Sequence, residues 1–185
     1  MIFFNQIDFD TPQLTQFISR TPSFKVSDEI QISFSRRSAL AKFLSKQSGY
    51  GELTVAILCE MPDWQLSSLA QLCTSSLSPF STLEKLYIEG INLQLDWKDR
   101  IEDTQWLDFL RPFVAVKNIH LQNEFASSIV ASLQEMTGGR TLELLPSLQS
   151  IQLPEAELSR PVEEAIGQFV AARQLSGHPV AISHW

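Results

Sequence analysis

Three histidines and two cysteines are the scarce reactive groups of this 185-residue chain. Catalysis needs an acid, a base and a nucleophile, or a set of metal ligands, converging on one point. His120, His178 and His184 show no such pattern; the last two flank a short apolar segment near the C-terminus and read as surface residues. Cys59 ends an apolar run and Cys73 falls on a helical apolar stripe, so each reads as a small buried hydrophobe rather than an activated thiolate. The acidic clusters Asp99, Glu102, Asp103 and Glu155, Glu157 lack the alternating oxygen ligands of a calcium loop. Gly138-Gly139-Arg140 follows a predicted helix instead of opening one, which makes it helix-ending punctuation rather than a phosphate loop. The residues therefore predict no enzyme, no metal and no cofactor. What remains is the chemistry of recognition, carried by Lys85, Tyr87, Glu89, Asn118, His120 and Gln122, with Trp97 beside them in the charged stretch LDWKDRIED.

The elements that would position these residues are written in a repeat. LEKLYI, VKNIHL and LQSIQL share the pattern L-x-x-L-x-L through Leu83, Leu86, Ile88, then Val116, Ile119, Leu121, then Leu148, Ile151, Leu153, and their starts are 33 and 32 residues apart. Upstream, LTVAIL carries Val55 and Ile57 in the places of Leu86 and Ile88 and predicts a preceding repeat; downstream, Val180 and Ile182 predict a shortened last one. Ile30, Ile32 and Phe34 alternate in EIQISF, and Ile2, Phe4 and Ile7 predict an earlier strand that forms one end of the array.

Between these strands the apolar period lengthens to that of a helix. Val162, Ala165, Ile166, Phe169 and Val170 form the clearest stripe, with Pro161 in the first turn and Gly177 past the end. Leu66, Leu69, Ala70 and Cys73 form another, with Asp63 as candidate cap; Trp106, Phe109, Leu110 and Phe113 follow Thr104; Phe125, Ile129, Leu133 and Met136 follow Asn123. Pro112 predicts an early end to the helix before it. Leu14, Phe17 and Ile18 after Thr11-Pro12 predict one more. Trp64 and Trp106 stand in register with apolar stripes and are expected in the core.

Strict alternation of strand and helix predicts a parallel sheet. A sheet covered on both faces needs strands that are apolar throughout. Here Lys85, Tyr87, Glu89, Asn118, His120, Gln122, Ser150, Gln152 and Pro154 form a polar set opposite the apolar one, so the expectation is an α/β solenoid, a one-sided parallel sheet with helices on the convex face only. The chain, 44% hydrophobic and 19% charged, has the composition of a folded domain, and residues 1–185 read as one. A net charge of −7 without clustered Lys or Arg argues against nucleic-acid binding. No apolar run reaches the length of a membrane span, and two unpatterned cysteines predict a reduced, cytoplasmic or nuclear setting.

LEKLYIEG, then WKDRIEDTQWLDFLRPFVAVKNIHL, GGRTLELLPSLQSIQL and PVEEAIGQFVAARQLSGHPVAISHW, together with the earlier NQIDFDTPQLTQFISRTPSFKV and DWQLSSLAQLC, resemble the C-terminal leucine-rich-repeat-like region of F-box-like proteins of mushroom-forming fungi. The resemblance implies an irregular leucine-rich-repeat-like fold and a role in holding the substrate of a ubiquitin ligase. In that family an F-box helix bundle docks on a Skp-type adaptor; this sequence contains no such bundle, so the expectation is the recognition part alone, lacking its N-terminal part. The repeats depart from regular ones in being longer than the usual 20 to 29 or so residues and in carrying Ile91, Glu124 and Ala156 where an asparagine is customary. The expected function is protein binding on the concave strand face, with Tyr87 contributing most. The rivals are a standalone repeat scaffold or sensor and a small α/β enzyme.

Overall fold

A computed structural model describes residues 2–4, 16, 20, 27–44, 53–76, 82–91, 93, 101–135, 144–155 and 159–184. Their strands are β1 (Ile2–Phe4), β2 (Glu29–Ser35), β3 (Ser38–Leu44), β4 (Leu53–Leu58), β5 (Lys85–Ile91), β6 (Asn118–Leu121), β7 (Ser150–Leu153) and β8 (Ala181–His184). The helices are α1 (Pro62–Gln71), which runs on into a π-helical turn at Leu72–Ser76, α2 (Asp103–Leu110), α3 (Asn123–Glu135) and α4 (Arg160–Leu175). The described strands form one mixed α/β sheet in the order β1-β4-β3-β2-β5-β6-β7-β8.

From β5 onward each strand lies parallel beside the next one in sequence, with a helix in every connection. The apolar pattern sets the register: Leu86 faces Ile119 and Ile119 faces Ile151, while Ile88 faces Leu121. All nine residues of the three matching segments, Leu83 to Ile88, Val116 to Leu121 and Leu148 to Leu153 at the apolar positions, are buried. The backbone repeats too. The Asp28 carbonyl accepts the amides of Glu84 and Lys85, the Glu84 carbonyl those of Lys117 and Asn118, and the Lys117 carbonyl those of Gln149 and Ser150. One carbonyl in front of β2, β5 and β6 thus accepts the two amides that open β5, β6 and β7, which fixes how those three strands begin. A Lys117 to Glu84 ion pair of 2.6 Å ties two of these starts together.

The expectation of a wholly parallel sheet fails in the first half. β3 runs antiparallel to both β2 and β4, with Arg36 and Arg37 forming the turn between β2 and β3. Strand and helix therefore do not alternate throughout, and the strand beside β5 is β2, with Ile30 opposite Leu86 and Ile32 opposite Ile88. Val55 and Ile57 of β4 are not a preceding repeat; they stand two strands further out, against Ala41 and Ala39. β1 pairs parallel with β4 and lies at one end of the described sheet, as expected of Ile2 and Phe4; Ile7 and the helix predicted over Leu14, Phe17 and Ile18 lie outside the described residues.

One core joins the inward side of β2 to β7 with the apolar faces of α1 to α4. Trp106 at its centre meets Phe34, Phe109 and Phe125 edge-on. Gln65 is a polar member of the buried set: its side-chain amide donates to the carbonyls of Ser35 and Cys59 and so locks α1 to the ends of β2 and β4. Cys73 is buried, and burial pushes its thiol far above the ordinary cysteine range, as expected of an inert core residue. Trp64 corrects the sequence reading: it is 45% exposed, because α1 turns Leu66 and Leu69, not Trp64, into the core.

The helix starts also differ in detail. α1 begins at Pro62 after Met61, so Asp63 stands in its first turn and is not the cap. α2 is capped by Glu102, not Thr104, and the Glu102 N–H donates to Gln105 Oε1 at 3.0 Å in a capping box. Asn123 is already inside α3, whose first amides at Phe125 and Ala126 bond the Gln122 carbonyl. The ends follow the sequence more closely. α2 stops at Leu110, two residues before Pro112, and Gly177 follows α4 with φ +77°, a conformation that disfavours any side chain.

Candidate functional site

On the outward side of the sheet the alternate residues of each strand remain half-exposed, in contrast to the buried inward set. Parallel registration lines them up in rows. Glu29, Lys85, Asn118, Ser150 and Ala181 form one row; Gln31, Tyr87, His120, Gln152 and Ser183 form the next; Ser33 and Glu89 begin a third. A flat row of polar side chains on rigid strands suits contact with another macromolecule, because the backbone beneath is already fixed and little ordering opposes binding.

Five of the expected contacts, Lys85, Tyr87, Glu89, Asn118 and His120, therefore do stand on one face. Tyr87 and His120, cross-strand partners, stack with ring centroids 4.0 Å apart and planes 14° from parallel. Asn118 accepts a hydrogen bond from Ser150 Oγ at 2.7 Å, and Glu89 accepts one from Ser33 Oγ. Gln122 sits just beyond β6 and is partly committed to the fold, since its Oε1 accepts the Gly90 N–H at 2.7 Å. Trp97 lies outside the described residues, as do Asp99, Gly138-Gly139-Arg140 and Glu157. His178 and His184 are exposed, at a distance in sequence and strand order from the Tyr87 row's centre.

Around the stack lies a depression of about 270 Å3, lined by Tyr87, Ile88, Glu89, His120, Leu121, Gln122 and Gln152. Gln152 was legible as part of the outward polar set, though not as one of the contacts; Gln31 and Ser33 were missed because the sequence placed LTVAIL, not EIQISF, beside LEKLYI. Among the described residues no three His, Cys, Asp or Glu side chains gather as a metal site.

Burial, and secondarily the Lys85 ammonium, push the His120 pKa below its ordinary value. The sign for stability follows from linkage: the unfolded chain binds the proton more readily, so the neutral imidazole contributes stability above the ordinary pKa that is lost as the pH falls through the folded value. We expect the His120 ring protons, followed by NMR, to titrate below the ordinary histidine range. Lys85→Met should raise the His120 midpoint without restoring it fully, because burial is the larger cause. A midpoint at the ordinary histidine value would refute the stacked, half-buried environment.

Comparison with known protein families, with curated proteins and with solved structures finds no match to this chain. Among the described residues no helix is long and apolar enough to cross a membrane.

Proposed function

We propose that this chain is a protein-recognition module that holds its target on the outward face of β2, β5, β6 and β7. The observation that supports this reading best is the Tyr87–His120 stack at the centre of a polar row that crosses five registered parallel strands. Aromatic groups with few torsions lose little freedom on binding and dominate protein interfaces. The run β5 to β8 then acts as an irregular leucine-rich-repeat-like solenoid with helices behind it, and the antiparallel β2-β3-β4 unit terminates that run in place of a further repeat.

In this reading the target-holding surface serves an F-box-like ubiquitin-ligase adaptor in the cytoplasm or nucleus, and the Skp-type adaptor is engaged by an F-box helix bundle rather than by this surface. Affinity purification followed by mass spectrometry tests both parts. The chain should capture a protein that the Tyr87→Ala/His120→Ala double variant recovers at least ten-fold less well, while a version carrying an F-box captures the same protein together with Skp and cullin subunits. Direct capture of the Skp adaptor by residues 1–185 alone would sink the division of labour; full capture by the double variant would sink the assignment of the surface. Capture of the same target with no ligase component in any version favours a standalone scaffold.

A further inference from the structure

The groups lining the depression beside the Tyr87–His120 stack include one formal charge, the Glu89 carboxylate. Burial and Lys85 push the His120 pKa below its ordinary value, which favours the neutral imidazole, and the other polar lining groups are a phenol and two amides. Glu89 accepts the Ser33 hydroxyl, which brings no compensating charge, and among the described residues no cation pairs with it. Lys85 does not line the depression. It stands four positions back along the strand, roughly 13 Å at an extended rise.

The other lining residues are Tyr87, Ile88, His120, Leu121, Gln122 and Gln152, two of them aromatic and two aliphatic. A volume of about 270 Å3 is below the roughly 300–1,000 Å3 of sites that enclose a drug-sized molecule, so the fit is to a single long side chain. Such a site, with a carboxylate that no cation among the described residues compensates and two aromatic residues beside it, complements a cation with a long apolar stem. Between the two basic side chains, arginine fits better. Its planar guanidinium presents parallel donors to a carboxylate, stacks on aromatic rings and gives up hydration more readily than an ammonium. The overall charge of −7 favours approach of a basic segment.

We propose that this depression is a subsite for one arginine side chain of the protein target, the guanidinium on Glu89 and the stem along the Tyr87–His120 stack. The proposal rests on the reading of this face as the target surface, and its test is separable from that reading. N-acetyl-arginine amide, N-acetyl-lysine amide and N-acetyl-citrulline amide, the last of the same shape without the charge, are titrated into the 15N-labelled chain. The arginine probe should shift the side-chain amides of Gln122 and Gln152 and the His120 ring saturably. It should bind at least ten-fold more tightly than citrulline and more tightly than lysine, and Glu89→Gln, checked for an otherwise unchanged spectrum, should remove that preference. Equal binding of arginine and citrulline, or of arginine and lysine, or an arginine preference that survives Glu89→Gln, would overturn it. If target capture depends on Tyr87 and His120 but is unaffected by Glu89→Gln, the target surface stands and the arginine subsite falls; if capture ignores Tyr87 and His120, the surface assignment falls while the probe titration still decides the subsite.

Discussion

Replacing Trp106 by alanine should lower the unfolding free energy by about 3–5 kcal/mol, the largest loss expected from one side chain in this molecule. Trp106 is 1% exposed, and its ring meets those of Phe34, Phe109 and Phe125 at centroid distances of 6.1, 6.0 and 5.7 Å, each close to perpendicular. Those partners come from β2, from α2 itself and from α3, so the indole joins the antiparallel unit, at β2, to two of the helices. Edge-on aromatic pairs contribute roughly 0.5–1.5 kcal/mol each beyond the area they bury. Phenylalanine provides the control. The indole N–H finds no acceptor among the described residues, so Trp106→Phe removes a buried donor along with part of the ring and should cost only about 1–2 kcal/mol. Urea unfolding of the three proteins reads both values. An alanine variant within about 1 kcal/mol of the parent would show that the aromatic cluster is not the centre of the core.

The repeat was visible in the sequence because two independent periods coincide there. Leu83, Leu86 and Ile88 show the strand alternation, and their counterparts at Val116 and Leu148 return at an almost constant interval, so local pattern and long-range register are one signal. The β2-β3-β4 unit carries no such redundancy. β3 buries Ala39 and Ala41, small residues with weak strand preference. The turn before it is Arg36-Arg37, without the glycine or asparagine that marks a tight hairpin. With β3 unseen, Val55 and Ile57 looked like one more repeat. Their alternation is genuine, but alternation alone does not say which strand a strand will pair with, and that choice depends on the three-dimensional path.

Legibility of the site follows the same division. Tyr87 and His120 each follow an aligned apolar residue, Leu86 and Ile119, so the repeat itself placed them side by side; that the rings lie flat against each other is a matter of side-chain torsion that spacing does not encode. Glu89 was legible as an outward residue, but its partner Ser33 comes from β2, which the sequence had placed elsewhere. Gln122 was read as a free contact because its type is polar, whereas its position beyond the strand end turns its carbonyl back to Gly90. A side chain inserted at Gly90 would itself meet Leu93 at 2.5 Å and Phe125 at 3.3 Å. The glycine thus lets β5 pass close to α3 while its N–H holds Gln122 at the rim of the depression.

Arg173 should behave as a structural residue despite its charge, and Arg173→Met is expected to cost about 2–3 kcal/mol, the range for hydrogen bonds made by a buried charged group. It lies in α4, fully buried, and its Nη2 donates to the carbonyls of Leu148 at 3.1 Å and Pro146 at 3.5 Å. Burial lowers its pKa, yet a guanidinium stays protonated at neutral pH. The segment it holds needs holding: Leu145 adopts φ +49°, a left-handed conformation unfavourable for a branched side chain, five residues before β7 begins. Methionine keeps most of the apolar stem packing but abandons both carbonyls. Lysine keeps the charge, but its ammonium ends a bond short of the Nη2 that serves both carbonyls, so Arg173→Lys should recover less than half of the lost stability. The consequence for recognition is local, since β7 carries Gln152, a wall of the depression. The variants should therefore show faster proteolytic cleavage within 144–149 and weaker target capture at temperatures well below global unfolding. If Arg173→Met matches the parent in both unfolding free energy and cleavage rate, the carbonyl contacts do not anchor β7, and the position of Gln152 must be set by the sheet alone.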